Sequence, residues 1–260
     1  MKLSSLSLRP KLLLLDKIKV AAVSYLNTKP LLYGVKRHAI LKEIELIEDY
    51  PAKIAQLLID GKVDMGLVPV AVIPRLKEWH IVGDYCIGAE GEVASVGIFS
   101  EVPITQVKKV YLDYQSRTSV RLAQVLLKEY WQQEVELIDA SGEDYRDEIK
   151  DTAAGVVIGD RALEQRQRSK YIYDLGAAWK QHTGLPFVFA AWIANKQLPQ
   201  AFIESFNQAN KVGIEQLDNV IAELSFEVYD LKNYFTQCIS YNLTPQKQKG
   251  LELFLQKLKE

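Results

Sequence analysis

The stretch KIKVAAVSYLNTKPLLYGVKRH, residues 17–38, decides how the fold is read. Residues 17–23 form a continuous apolar run of strand length. Such runs suit a strand buried on both faces of a parallel sheet, whereas a half-exposed strand alternates. Residues 24–29 are polar and read as a turn. Pro30 can open a helix as its first residue, because the N–H it lacks has no helical acceptor there. The order is strand, polar turn, helix, and in an open parallel sheet ligands sit at the carboxyl ends of the strands.

Outward from this unit the pattern repeats. Residues 44–48 are a strand candidate. Pro51 opens a helix with Ile54, Leu57 and Leu58 on one face and Gly61 at its end, and residues 65–70 give another buried strand. This order implies right-handed crossovers and a parallel sheet. Further on, residues 110–113 read as a strand. The polar run 115–119 follows, then a helix with Val120, Ala123, Leu126, Leu127 and Tyr130 at helical spacing. Residues 135–139, 155–159 and 187–194 read as strands. Residues 199–224, 229–239 and 245–259 read as helices, the last capped by Thr244. Residues 93–99 and 187–194 are expected to bridge two halves. The first domain would then be discontinuous, residues 17–97 plus 193–260, with 98–192 as the second. Two α/β lobes joined by two crossings leave a cleft that can close by hinging.

Composition narrows the function. The chain has 260 residues, 48% hydrophobic and 25% charged, which is an ordinary soluble globular mix. The formal net charge of -1 argues against general nucleic-acid binding. No run approaches the ~20 apolar residues of a membrane span. The apolar run near the amino terminus is only Leu12 to Leu15, short of a secretory core, so residues 1–16 read as a leader and the expected location is cytoplasmic. Cys86 and Cys238 make no CxxC pair and are expected as free thiols. His38, His80 and His182 share no metal spacing. There is no GxGxxG and no P-loop, and no GxSxG elbow accompanies the serines, so a hydrolase triad is unsupported; no metal or cofactor is expected.

Five places can carry chemistry. Residues 24–31 (SYLNTKPL) offer Ser24, Asn27 and Thr28 beside a helix start, with a plain polar turn as the alternative. Residues 115–119 (QSRTS) precede a helix. There Thr118 and Ser119 hydroxyls and free N–H groups favour an anion, and Arg117 could add a bidentate fork, the alternative being a simple N-cap. Ser95 faces either the cleft or a neighbouring carbonyl. Asp160 reads as an N-cap ahead of a ligand. Residues 179–187 (WKQHTGLPF) supply either a wall for a planar ligand or core packing.

SYLNTKPL at 24–31, DMGLVPVAVIP at 64–74, SRTSVRL at 116–122, IGDRAL at 158–163 and DLGAAWKQHTGLPFVFAAWI at 174–193 together resemble one family. It is the chorismate dehydratase of the futalosine route to menaquinone, and the similarity covers the chain from about residue 17 onward. The resemblance implies a two-lobed, type II periplasmic-binding-protein-like α/β fold with two mixed or parallel sheets. It implies conversion of chorismate to 3-[(1-carboxyvinyl)oxy]benzoate with loss of water. The alternatives are the sister lyase that forms 1,4-dihydroxy-6-naphthoate from a cyclic futalosine derivative, and a non-catalytic receptor for a small carboxylate.

Within that frame Asn27 and Ser95 are expected at the reacting centre. Ser24, Tyr25, Arg117, Thr118, Ser119, Asp160, Trp179, Thr183 and Phe187 are expected around the substrate. The general base is open among the substrate's own enolpyruvyl carboxylate, His182 and Asp160. The expected partner is the small molecule alone, with the chain a monomer or homodimer.

Overall fold

The computed structural model describes residues 17–259, so the leader at 1–16 lies outside it. Eleven strands occur among the described residues: β1 (Ile18–Val23), β2 (Ile44–Asp49), β3 (Met65–Pro69), β4 (His80–Ala89), β5 (Val96–Ser100), β6 (Lys109–Leu112), β7 (Glu136–Asp139), β8 (Ala153–Ile158), β9 (Tyr171–Asp174), β10 (Phe187–Ala194) and β11 (Ser240–Asn242). They form a six-stranded sheet of order β11-β4-β10-β3-β1-β2 and a five-stranded sheet of order β7-β6-β8-β5-β9. The first is parallel where β1 meets β2 and β3, and antiparallel where β10 meets β3 and β4. The second is parallel around β6 and antiparallel around β5. Every residue of β3 and β8 is buried, as strands covered on both faces must be.

The helices are α1 (Lys29–Arg37), α2 (Pro51–Ile59), α3 (Thr118–Glu129), α4 (Asp160–Gln165), α5 (Leu175–Thr183), α6 (Gln200–Glu215), α7 (Leu217–Ala222), the single turn α8 (Leu231–Asn233) and α9 (Pro245–Lys257). Pro30 and Pro51 sit in the first turns of α1 and α2, and the Thr244 hydroxyl caps α9 by accepting from the Lys247 N–H. Helix α1 is pressed onto α6 where two glycines meet. A Cβ on Gly213 would lie 1.7 Å from the Pro30 carbonyl oxygen, and one on Gly34 would lie 1.9 Å from that of Ala209. The backbones touch because neither residue has a side chain, and this fixes the helix that follows the first loop.

Several expectations need correction. The strands at 93–99 and 187–194 do not bridge. β5 pairs only within the smaller sheet and β10 only within the larger, so residues 187–192 belong with the first sheet. The chain changes sheet in the loops at 90–95 and 184–186 instead. β5 also starts late, at Val96, because Ala94 adopts a left-handed φ of 61°. The expected helix at 229–239 is α8 followed by a π-helical turn, Tyr234–Cys238, and the one at 199–224 breaks at Gln216 into α6 and α7. Asp160 is not the cap of α4. Gly159, at φ 65°, occupies that position and Asp160 is the first helical residue.

One continuous hydrophobic core runs beneath both sheets. A small satellite of Phe99, Tyr145, Ile149, Val157 and Ala162 accompanies it in the second-sheet half.

Candidate active site

Between the two sheets lies a cleft open to solvent, with about 500 Å³ of space when its mouth is counted. From the first sheet it takes Val23, Tyr25, Asn27 and Thr28 at the end of β1, Leu67 and Pro69 of β3, Ile87 of β4, and Phe189 and Ala190 of β10. Pro51 of α2 joins them. From the second sheet come Val96, Ile158 and Gly159, and from the turn into α3 come Ser116, Thr118 and Ser119. The walls are mostly apolar, and the polar groups gather at the N-terminal ends of α1 and α3. Among the described residues the wall carries no lysine, arginine, aspartate, glutamate or histidine. Polarity here comes from hydroxyls, one amide and helix dipoles.

Local sequence explains this arrangement. β1 ends at Val23 and the chain turns through Leu26–Thr28 straight into α1, so Asn27 is set at the mouth of the strand. The Asn27 side-chain oxygen accepts from the Thr28 hydroxyl at 3.2 Å. At α3 the Ser116 hydroxyl accepts the Ser119 N–H at 3.1 Å, and the Thr118 hydroxyl oxygen accepts the Ala71 N–H at 3.1 Å. The Ser116 and Thr118 hydroxyls each spend a lone pair and keep their own hydrogen for a ligand, whereas Thr28 spends its hydrogen on Asn27. Phe189 and Ala190 are consecutive yet both reach the wall, because the pairing of β10 with β4 slips between Val188 and Ala190.

The two halves are tied around the cavity. The Leu26 N–H donates to the Asp160 carboxylate at 3.0 Å, and the Tyr25 hydroxyl donates to the Gln115 side-chain oxygen. The Tyr25 ring lies against Gly159, where a Cβ would stand 2.9 Å from it. Behind Gln115, Arg161 donates to both oxygens of the buried Asp113, at 2.8 and 3.0 Å, and Tyr145 donates to the same carboxylate at 2.9 Å. Burial works against the Arg161 charge, but the Asp113 carboxylate outweighs it and holds the guanidinium above its usual range. Burial raises the Tyr25 hydroxyl, so it stays a neutral donor. Burial also raises Asp160, and the Leu26 amide offsets only part of that.

Asn27, Tyr25, Thr118 and Ser119 are thus brought together in one wall. Ser95 is fully buried just behind it, its hydroxyl accepting from Tyr234 at 2.8 Å. Asp160 stands beside the wall through Leu26. Other expected residues lie elsewhere. Ser24 is exposed and uses its N–H on the Asp49 carbonyl. The Arg117 side chain is outside the wall, near Arg75, with its Nε buried and unpartnered. Trp179 and Phe187 are core residues, packed edge to face with each other at 5.2 Å and with Phe254 of α9. Thr183 closes α5, donating to the Trp179 carbonyl at 2.8 Å. His182 sits 3.2 Å from Glu129, outside the cavity. The sequence does not single out Ser116, Gly159 or Phe189 as substrate contacts, although each lies inside a motif quoted above.

Among the described residues no three His, Cys, Asp or Glu side chains converge as metal ligands, and no helix is long and apolar enough to cross a membrane. Cys86 and Cys238 are both buried free thiols.

Two mixed α/β sheets facing each other across a cavity define the periplasmic-binding-protein-like fold. A Candida albicans protein described as having the generic form of that fold superposes with a TM-score of 0.60 at 15% identity, over 94% of this chain and 95% of its own. The aliphatic sulphonate binding protein SsuA of Escherichia coli gives 0.61 at 13% identity, over 93% and 87%. A protein of Archaeoglobus fulgidus gives 0.75 at 14% identity, over 94% and 97%. Within this class the chain belongs to the menaquinone biosynthesis family, whose model matches residues 18–260. Two relatives carry the name chorismate dehydratase. That of Thermus thermophilus is 27% identical over 90% of this chain and 92% of its own, and that of Campylobacter jejuni is 25% identical over 91% and 96%.

Proposed function

We propose that the protein is a chorismate dehydratase, a carbon–oxygen lyase that removes water from chorismate to give 3-[(1-carboxyvinyl)oxy]benzoate on the futalosine route to menaquinone. Family membership and the two named relatives support the substrate. The observation that supports the reading is the shared lining: Asn27 and the start of α3 border one mostly apolar cavity whose polar groups are hydroxyls and an amide, with no charged side chain among its described lining.

Chorismate is a dianion with a ring hydroxyl and an enolpyruvyl ether. Loss of a ring proton and the neighbouring hydroxyl makes the ring aromatic, so the reaction is strongly downhill. Positioning and oriented dipoles can then supply much of the catalysis. In this reading Thr118, Ser119 and the amides opening α3 hold one carboxylate. Asn27 hydrogen-bonds near the reacting carbon or the leaving hydroxyl, and Tyr25 and Phe189 flank the ring. The wall offers no carboxylate or imidazole as base. The enolpyruvyl carboxylate of the substrate, folded over the ring, takes the proton. The C–H and C–O bonds break, the ring gains a double bond, and hydroxide plus proton leave as water.

The proposal takes the two sheets as the cores of two lobes, residues 17–89 with 187–260 and residues 96–183, so that the expected boundaries at 97/98 and 192/193 move to the loops 90–95 and 184–186, where the lobes hinge. The test is to mix purified protein with chorismate and follow mass and ultraviolet spectrum. A product lighter by one water is expected. Chorismate bound but unchanged would make the protein a receptor. No binding, with turnover of the cyclic futalosine derivative, would make it the sister lyase.

A further inference from the structure

Tyr234 is a large, fully buried side chain in the π-helical turn Tyr234–Cys238, and the mechanism above makes no use of it. Its hydroxyl donates to Ser95 at 2.8 Å across 139 residues of sequence. The Asn27 side chain faces the same phenol oxygen and favours its charged form, although burial dominates and keeps the phenol protonated. Seven residues later, the Tyr241 hydroxyl donates to the Asn27 carbonyl at 3.0 Å. One short segment therefore grips Asn27 from behind through Tyr241 and Ser95 through Tyr234.

That segment is itself anchored. Tyr241 is the middle residue of β11, and the carbonyls on either side of it, Ser240 and Asn242, accept from Lys247 at 2.9 and 2.7 Å. Lys247 is fully buried, and a buried ammonium is retained only where acceptors surround it. Before β11, the π turn widens the helix locally, and π turns recur at functional sites. Here it points Tyr234, Phe235 and Cys238 inward together.

We propose that Tyr234 is a positioning residue of this site, its hydroxyl fixing the Ser95 rotor beside Asn27 and acting on the reaction through that pair. A serine hydroxyl can turn among several orientations. By donating to the Ser95 oxygen, Tyr234 removes the orientation in which Ser95 would donate back to it. The remaining contact of that hydroxyl, to the Val93 carbonyl at 3.5 Å, is weak. The Ser95 hydrogen is thereby left free to respond to charge developing near Asn27, at no reorganisation cost during the reaction. This inference rests on the dehydratase reading.

The test is a double-mutant cycle in the full chain, with chorismate as substrate and Y234F, S95A and Y234F/S95A as variants. Y234F keeps the ring and its packing. The expected result is a kcat lowered about tenfold with KM within about twofold, the scale of one hydrogen bond withdrawn from a transition state. In the S95A background the same change has no further effect, because its route to the reaction is gone. A Y234F kcat within twofold of the parent overturns the proposal, as does an equal loss in both backgrounds, which marks simple packing. Should Y234F melt too low to assay, site-specific 3-fluorotyrosine at position 234 keeps the ring and strengthens the donor. Its kcat then shifts at unchanged melting temperature, and an unchanged kcat overturns the proposal. A parent protein that leaves chorismate intact overturns the dehydratase reading and this inference with it, whereas an active parent with an indifferent Tyr234 overturns this inference alone.

Discussion

The Asp160 carboxylate accepts the Leu26 backbone N–H at 3.0 Å, joining residues 134 apart in sequence and tying the first turn of α4 to the loop that carries Asn27. The bond crosses from one sheet's loops to the other's. It places a carboxylate beside the cavity with one of its oxygens engaged by the backbone.

On the proposed two-lobe reading, that bond would help hold the cleft closed over substrate. The D160A variant should raise KM for chorismate roughly tenfold, the worth of a charge-assisted hydrogen bond. D160N keeps an acceptor for Leu26 and should stay within about threefold of the parent in both kcat and KM. Steady-state kinetics decides, and a D160N variant with no turnover would make Asp160 the base.

Asp174 gives a pH prediction. Its carboxylate caps α5 through Ala177 and accepts the Val93 and Ala94 N–H groups in the loop between the sheets. Burial raises its pKa to about 6 from an ordinary 3.8, the three amides notwithstanding. The folded state therefore holds this proton to higher pH than the unfolded chain. Its stabilising contribution is complete below about pH 4 and is lost as pH rises through 6. Melting temperatures of the parent and D174N, compared from pH 4 to 7.5, should show the parent losing ground across that window and levelling above it. A constant difference would refute this.

The α1–α6 contact has no room for a methyl group. Gly213→Ala puts a Cβ 1.7 Å from the Pro30 oxygen, so the helices must part. A cost of about 2–3 kcal/mol is expected, lowering the melting temperature by about 5–10 °C in a scanning experiment.

At the cavity wall, Asn27→Asp adds a negative charge facing a dianion. Affinity for chorismate should fall roughly tenfold or more by calorimetry, a modest share of the Coulomb energy at contact distance. His182→Ala should leave turnover within about twofold, because His182 spends its ring on Glu129 away from the cavity.

Much of this was legible in the chain. The apolar runs at 17–23 and 65–70 announce buried parallel strands, and Pro30 and Thr244 mark helix starts where the structure has them. β4 was illegible for a physical reason. Gly83, Asp84 and Gly88 interrupt its pattern, and Gly83 takes φ 73° so that the Asp84 N–H can reach Asn207 at 2.9 Å. Short edge strands such as β9 and β11 carry too few residues to show a period.

The site was half legible. A polar turn between strand and helix points to Asn27 and Thr118, and both line the cavity because their place follows from chain direction in an α/β sheet. Side-chain direction does not follow. Arg117 has the chemistry for an anion but points beside Arg75. Trp179 and Phe187 look equally fit for a ligand wall or a core, and the choice is made by Phe254, sixty-seven residues beyond Phe187. Tyr234 carries no local signal, because its partner Ser95 is 139 residues away.

The uncharged wall between the sheets has a consequence for what happens after reaction. An acid that enters it brings two negative charges with no fixed counter-ion to meet them. Dipoles and hydroxyls grip by fit, and their hold fades over fractions of an ångström. In the proposed reaction, a ring that flattens into a benzoate would slip from groups set for its puckered precursor. A pocket studded with guanidinium groups would retain its cargo through that change of shape, and on the proposed reading this one would let go.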